Sequence, residues 1–402
     1  MTSEAFVWIW LPDENKPVLC GKLQERVGEL QFFYGKSYLA RSNAISLDIR
    51  EMPLESGVFR PPIGETHGAI RDAAPDAWGR RVLLYRLNQH TVTEIDYLLN
   101  AGSDRIGALV VQDSSDYYQT NEFETASIDQ LVEAAELIEN GRPLPANLDA
   151  ALVHGSSVGG ARPKALLDDN QSSWIAKFSS TTDQYPVVRS EMAAMWLAGQ
   201  CQIHVPTIRL LESLGKDVLL VERFDRVHEE NGIKRRFMIS GLTALQLHET
   251  ESRLASYLDM TGFIRRHAKD ADRDNIQLFR RMMFNILIGN NDDHARNHSF
   301  FWDGSHYHLT PAYDICPMLR SGLTASQAMI VGKQGRLSTL KNALSESGLF
   351  GITKEKAAAI KEELVDRIET QWPDACNYSG LTKLQSEMLR RSTVLSPGVF
   401  YQ

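Results

Sequence analysis

Cysteine is scarce in this chain of 402 residues. The four present, Cys20, Cys201, Cys316 and Cys376, share no paired spacing. That excludes a disulfide framework and a zinc site built on thiolates, and suits a reducing cytoplasm. No apolar run approaches the roughly 18 residues needed to cross a bilayer, so no membrane association is expected. The opening MTSEAFVWIWLPDENK carries an acid at Glu4 and no basic leader, and does not read as a secretion signal. Positive charge is also short: 43 Lys and Arg stand against 51 Asp and Glu, a net charge of −8. Broad contact with nucleic acid needs a basic footprint. Only local clusters offer one: Arg80–Arg81 with Arg86, Lys234–Arg235–Arg236, Arg265–Arg266 and Arg390–Arg391. Each reads first as a solvated face, leaving room for DNA only beside a partner. Internal repeats and long low-complexity segments are absent.

What is present is an ordinary globular composition, 43% hydrophobic and 23% charged, at a length that suits two or three domains. Residues 1–112 mix short alternating segments (FVWIWL, ELQFFY, AISLDI) with turn residues, the pattern of strands. Within them, PDAWGRRVLLYRLNQ spaces Val82, Leu83 and Leu87 as a helix does. A polar stretch follows, then the amphipathic SIDQLVEAAELIENG, with Ser127 at its start and Gly141 at its end. From about 150, strand patterns return (KALL, WIAKF, VLLVERFDR), interrupted by a helix over 189–200. After Gly241 helical patterns dominate, except for the hairpin-like SFFWDGSHYHLTPAYDI. Segregating strands from helices predicts an α+β fold, divided at 1–112, 127–240 and 241–402.

Four stretches fit one chemistry. Phosphoryl transfer needs a loop over the phosphates, a cation, oxygen ligands for magnesium and a carboxylate to orient the attacking hydroxyl. GSSVGGARPK, from Gly155 to Lys164, lets backbone N–H groups approach a polyphosphate, though a Gly-rich surface turn has the same composition. It is no Walker loop, since Ala161 stands where lysine is required. The letters GxSxG occur at Gly155–Gly159, but Pro163 and a strand follow where a hydrolase elbow needs a helix. Lys177, in the strand SWIAKF, is a candidate phosphate ligand with Glu191 as a possible partner; alone it would read as an edge-strand lysine. The apolar helix carrying Phe279, Met282, Met283 and Ile286 delivers the loop NNDDHARN. There Asp292 precedes Asn297 by five residues, the Asp-to-Asn spacing of HRDxxxxN. Asp314 in LTPAYDI would return beside Asn297 and supply a second carboxylate for magnesium. His294 and His298 are four apart, but without HExxH or Cys pairs a zinc site is not indicated. His294 reads as bracing the loop or reaching a phosphate.

These residues resemble the HipA toxin kinases of bacterial type II toxin–antitoxin modules, over nearly the whole chain. PDAWGRR is similar to that family's N-terminal domain, SSVGGARPKALL to its phosphate loop and WIAKF to its lysine strand. VERFDR resembles its hinge beside the adenine, NNDDHARN its catalytic loop and LTPAYDI its metal-binding segment. The resemblance implies ATP and Mg as cofactors and Asp292 as the catalytic residue. Asn297 and Asp314 would hold the metal. ATP would meet Val158, Gly159, Gly160, Ala161, Arg162, Lys164 and Lys177, with Glu222, Arg223 and Phe224 lining the adenine pocket. His294, Asn297, Tyr313 and Asp314 complete the implied ATP-binding set. Ser157, with Ser156 as the alternative, falls where the family's inactivating autophosphorylation occurs. The implied partners are a HipB-like helix-turn-helix antitoxin, operator DNA mainly through that antitoxin, and a protein substrate such as an aminoacyl-tRNA synthetase. Two other functions fit the same residues: a small-molecule kinase, and a corepressor that only binds antitoxin and DNA.

Overall fold

A computed structural model describes residues 3–87, 92–120, 126–142, 145, 148, 162–169 and 171–401. The chain forms two compact units: Met1–Thr181 with Leu211–Ile239 and Phe301–Ser305, and Thr182–Leu210 with Ser240–Phe300 and His306–Gln402. Strands concentrate in the first and helices in the second, the α+β class expected.

The first unit holds two four-stranded sheets. In one, β1 (Glu4–Ile9), β2 (Val18–Arg26), β3 (Glu29–Tyr34) and β4 (Leu109–Gln112) run in the order β3-β2-β1-β4, all antiparallel. The central strand β2 lies in a stretch not singled out as a strand, and Ala44–Ile49, which alternates as a strand should, is not one. Tyrosine hydroxyls take its backbone groups instead. Tyr34 Oη accepts from Leu47 N–H at 2.8 Å, and Tyr38 Oη donates to Ile45 O at 2.8 Å. With those groups satisfied, nothing drives the segment into a ladder.

The second sheet contains β5 (Lys164–Asp168), β6 (Ser173–Phe178), β7 (Ile208–Ser213) and β8 (Lys216–Glu222), ordered β5-β6-β8-β7. Ala165, Trp174, Ala176, Phe178, Val218 and Leu220 share one face and form a core with Trp78, Val82 and the helix Ile128–Glu139. Ser127 caps that helix in a reciprocal box with Gln130.

Arg265, Arg266 and Arg391 are exposed, as a solvated face should be, but the clusters around Arg80 and Arg235–Arg236 are not simple solvated faces. Arg235 stacks on Trp10 at 3.9 Å and Arg236 on Phe301 at 3.4 Å. Arg80 pairs with Glu94 at 2.6 Å. Planar guanidinium on an aromatic face is favourable when desolvated, which the sequence spacing alone does not reveal.

In the second unit the helix Ala271–Ile288 is the spine, with Phe279, Met282, Met283 and Ile286 fully buried. It stops at Gly289, whose φ of +71° is left-handed, and a Cβ there would lie 1.8 Å from Thr393 Oγ1. Only glycine fits both demands. Among the described residues no helix is long and apolar enough to cross a membrane.

Candidate active site

The loop after Gly289 is built on a buried polar floor. Asp293 faces inward at 2% exposure and accepts from Asn285 Nδ2 at 2.7 Å and from the Tyr257 hydroxyl. His298 Nε2 lies 3.1 Å from the same carboxylate. Asn290 Nδ2 donates to Asn285 Oδ1 at 3.0 Å, extending the network along the helix end. Burial opposes the Asp293 charge, yet the charge and hydrogen bond of His298, with the Tyr257 hydroxyl, outweigh it and hold the carboxyl below its usual range. Burial first, and then the Asp293 charge, pushes the Tyr257 phenol well above its usual range.

With Asp293 anchored below, the neighbouring Asp292 is turned to the exposed side of the loop. Its main-chain oxygen accepts from His294 N–H at 2.8 Å and from Asn297 Nδ2 at 3.3 Å. The five-residue spacing is thus a closed turn, with Asn297 folded back on Asp292. Burial is the largest influence pushing the Asp292 carboxyl above its usual range. A charged His294 opposes it, and the charges of Asp314 and Asp293 add to it. Exposure screens these effects, but the Asp314 contribution places the two carboxylates within electrostatic reach of each other. The residue before Asp314 is tied to the end of the same loop: the Tyr313 hydroxyl donates to Arg296 O at 2.7 Å and lies 2.6 Å from Ser299 Oγ. Asp314 itself has φ +59°, the left-handed conformation that Asp tolerates better than most residues.

A divalent cation fits this donor set. Two carboxylates repel each other, and Asn297, 7% exposed, uses its amide nitrogen while its oxygen accepts no hydrogen bond among the described residues. No group of three or more His, Cys, Asp or Glu suited to a metal occurs among the described residues. Magnesium does not need one, since it is commonly held by one or two carboxylates together with substrate phosphates and water.

In the first unit, Lys164 and Lys177 stand directly opposite each other on β5 and β6, so both project from the sheet face away from the core. Lys164 is 3% exposed, and its Nζ lies 3.6 Å from Asp76, while Trp78 Nε1 donates to its carbonyl at 3.2 Å. PDAWGRR therefore braces the first lysine, a link between distant stretches that spacing could not reveal. Glu222 ends β8 and accepts from Ser172 Oγ at 3.0 Å; Phe224 meets Phe301 edge-on.

The Arg223 side chain is committed elsewhere. It pairs with Asp104 at 2.8 Å and Asp225 at 3.0 Å, and Arg226 pairs with the same two at 2.8 and 2.9 Å. Asp225 also accepts from Gly107 N–H at 2.7 Å. Arg162 is half-buried ahead of β5. Ser156, Ser157, Val158, Gly159, Gly160 and Ala161 lie outside the described residues.

Against known families, the HipA-like C-terminal domain matches residues 156–372 and the HipA N-terminal domain matches residues 10–112. The chain belongs to the HipA family. The Arg223–Asp104–Arg226–Asp225 network thus joins residues of both HipA domains. Among curated relatives, "Putative kinase Y4mE" of Sinorhizobium fredii is 24% identical over 349 residues, 79% of each chain. A "Putative kinase" of Haemophilus influenzae is 27% identical over 180 residues, 40% of this chain and 52% of that protein. Among solved structures, HipA of Shewanella oneidensis, in complex with HipB and operator DNA, superposes with a TM-score of 0.73 at 17% identity, covering 95% of each chain. At that identity the likeness is one of fold.

Proposed function

We propose that this chain is an ATP- and magnesium-dependent serine/threonine protein kinase, the toxin of a cytoplasmic toxin–antitoxin pair. The observation that carries the reading is the closed turn in which Asn297 Nδ2 donates to Asp292 O at 3.3 Å and leaves its amide oxygen open, with the charge of Asp314 helping to raise the Asp292 carboxyl. In this reading Asp292 accepts or orients the hydroxyl of the acceptor serine or threonine. Asn297 and Asp314 would hold magnesium, which when bound offsets the charge of the phosphates. Lys177 and the braced Lys164 contribute cations to the phosphates; Glu222 and Phe224 contribute to the adenine pocket, and Arg223 through its main chain. The raised Asp292 carboxyl suits a group that must take up a proton during transfer.

Autophosphorylation of Ser157, or of Ser156, would add up to two negative charges to a phosphate-binding loop and switch the enzyme off by repulsion. The helix-turn-helix antitoxin, the operator DNA reached through it and an aminoacyl-tRNA synthetase substrate are proposed on the family's account. So is the division into an N-terminal part (1–112), a nucleotide-binding part (127–240) and a helical part (241–402).

Purified protein incubated with labelled ATP, magnesium and a cell lysate should label a protein other than itself. Asp292→Asn should cut the rate by at least ~100-fold, the scale of a lost general base. Label passing only to small molecules would favour the small-molecule kinase. An Asp292→Asn variant that arrests growth as fully as wild type would favour the binding-only corepressor.

A further inference from the structure

We propose that Arg281 and Asp274, on one face of the spine helix, are positioning residues that hold the Asp314 carboxylate where magnesium needs it. This rests on the kinase reading, in which Asp314 holds the metal, and adds what places that carboxylate.

Asp274 and Arg281 are seven residues apart in the helix Ala271–Ile288. They fall on nearly the same face, separated by roughly 10 Å along the axis. Long side chains on a helix lean toward its N-terminus. Arg281 therefore reaches back toward Asp274, and the charge of each acts on the other. Both close on one piece of backbone. Asp274 Oδ2 accepts from Leu309 N–H at 2.9 Å, and Arg281 Nη2 donates to Thr310 O at 2.5 Å. Asp274, Arg281 and Thr310 are all buried, so little water competes for either bond.

Leu309 ends the strand Tyr307–Leu309, and the run Thr310–Asp314 belongs to no strand or helix. Separate bonds hold that run instead. Thr310 N–H donates to Ser299 O at 2.9 Å and Ala312 N–H to His204 O at 2.7 Å, besides the Arg281 guanidinium on Thr310 O. Asp314 follows four residues after Thr310, within roughly 14 Å of it. Its left-handed backbone is of a kind that persists only where the surroundings fix it.

Arg281 also meets the other half of the site. Burial pushes its guanidinium down to about 10, and the charge of Asp293 is the largest influence opposing that, followed by Asp274. One arginine thus bonds the run that bears Asp314 while lying within electrostatic reach of the anchor beneath Asp292.

The test measures, by calorimetry, the affinity of full-length protein for a non-hydrolysable ATP analogue in magnesium and in EDTA. The ratio of the two affinities is what the metal adds, and a partly unfolded sample does not alter it. Arg281→Met and Asp274→Ala each remove one hold on the backbone at 309–310. Each should cut the ratio about tenfold, the worth of one charge-assisted hydrogen bond. Asp274→Asn keeps an oxygen for Leu309 N–H and should stay within about twofold of wild type. Arg281→Lys keeps a donor for Thr310 O and should recover part of the Arg281→Met loss. Affinity in EDTA should be unchanged throughout. In phosphate transfer, the magnesium concentration for half-maximal rate should rise by the same factor as the ratio falls.

A ratio that stays at the wild-type value in both Arg281→Met and Asp274→Ala overturns the proposal and leaves the kinase reading standing. So does an affinity that falls equally in magnesium and in EDTA, the mark of residues that merely support the fold. A wild type that binds the analogue equally well in both, or in neither, sinks the magnesium–ATP reading and this proposal with it.

Discussion

Asp292 and Asp293 are neighbours with opposite fates, and the difference lies in what each faces. Asp292 meets solvent and Asp314; Asp293 meets Tyr257, Asn285 and His298 in the interior. Spacing singled out the first because it matches a known interval to Asn297. The second carries no interval of its own, and its partners come from 8 residues before it, 5 after it and 36 before it in the chain. The one signal available was His298, four residues from His294, which spacing alone could not tell from a metal ligand.

Asp293→Asn should destabilise the second unit by ~3 kcal/mol at neutral pH, the scale of breaking a buried hydrogen-bonded charge. The sign with pH follows from the lowered carboxyl. A group whose folded pKa lies below its unfolded value stabilises the protein above the unfolded value, 3.8 for this aspartate, and the gain is lost as pH falls through the folded value. Urea melts of wild type and variant should therefore differ by their full amount above about pH 5, and the gap should shrink only as pH falls below 3.8 toward the lowered folded value. A gap that held constant down to pH 3 would show that the charge contributes nothing.

Elements were legible where their pattern is local. The helix expected over 75–89 is found at Ala77–Leu87, and the one expected over 189–200 at Val187–Gln200. WIAKF and VLLVERFDR are read correctly because buried strands are runs of β-branched and aromatic residues. Ala44–Ile49 misled because alternation cannot tell a sheet partner from a pair of tyrosine hydroxyls. The left-handed backbone of Asp314 was equally hidden, since aspartate there is tolerated rather than required.

Gly289 tests how far one element boundary positions the site. Gly289→Ala faces both the left-handed φ and the Thr393 hydroxyl, and should cost ~2–4 kcal/mol in chemical denaturation. Thr393→Ala in the same chain removes the nearer clash and should recover part of that loss. Full loss in the double variant would mean that φ alone sets the demand.

The Arg223–Asp104–Arg226–Asp225 network acts at the same scale, tying VERFDR to the loop before β4. Burial opposes the Asp225 charge, but Arg223 and Arg226 outweigh it and keep the carboxyl low. Asp225→Ala should cost ~3–5 kcal/mol, because two buried guanidinium groups lose their shared acceptor. Proteolysis should then open the Asp104–Gly107 loop first; unchanged cleavage there would argue against a clamp.

At the scale of the whole molecule, charge decides how DNA could be reached. The chain is −8 overall, and its arginines at 80, 235 and 236 are occupied by Glu94, Trp10 and Phe301. Affinity for duplex DNA scales with the phosphates neutralised, and each one adds about −0.9 to the slope of log K against log salt. With the clusters around Arg80 and Arg235–Arg236 engaged internally, the chain has chiefly Arg265, Arg266 and Arg391 left to offer from its basic clusters. Alone, it should not shift operator DNA at ~150 mM salt, where screening already limits distant charges. With a helix-turn-helix partner it should, and the slope of the complex should match that of the partner alone to within about one phosphate. The exposed Arg265 and Arg266, in the last turn of the helix Tyr257–His267, are the sharpest control. Replacing both with glutamate should leave the slope unchanged. A slope steeper by two or more on adding this chain, and lost in that double variant, would mean the chain grips the DNA itself.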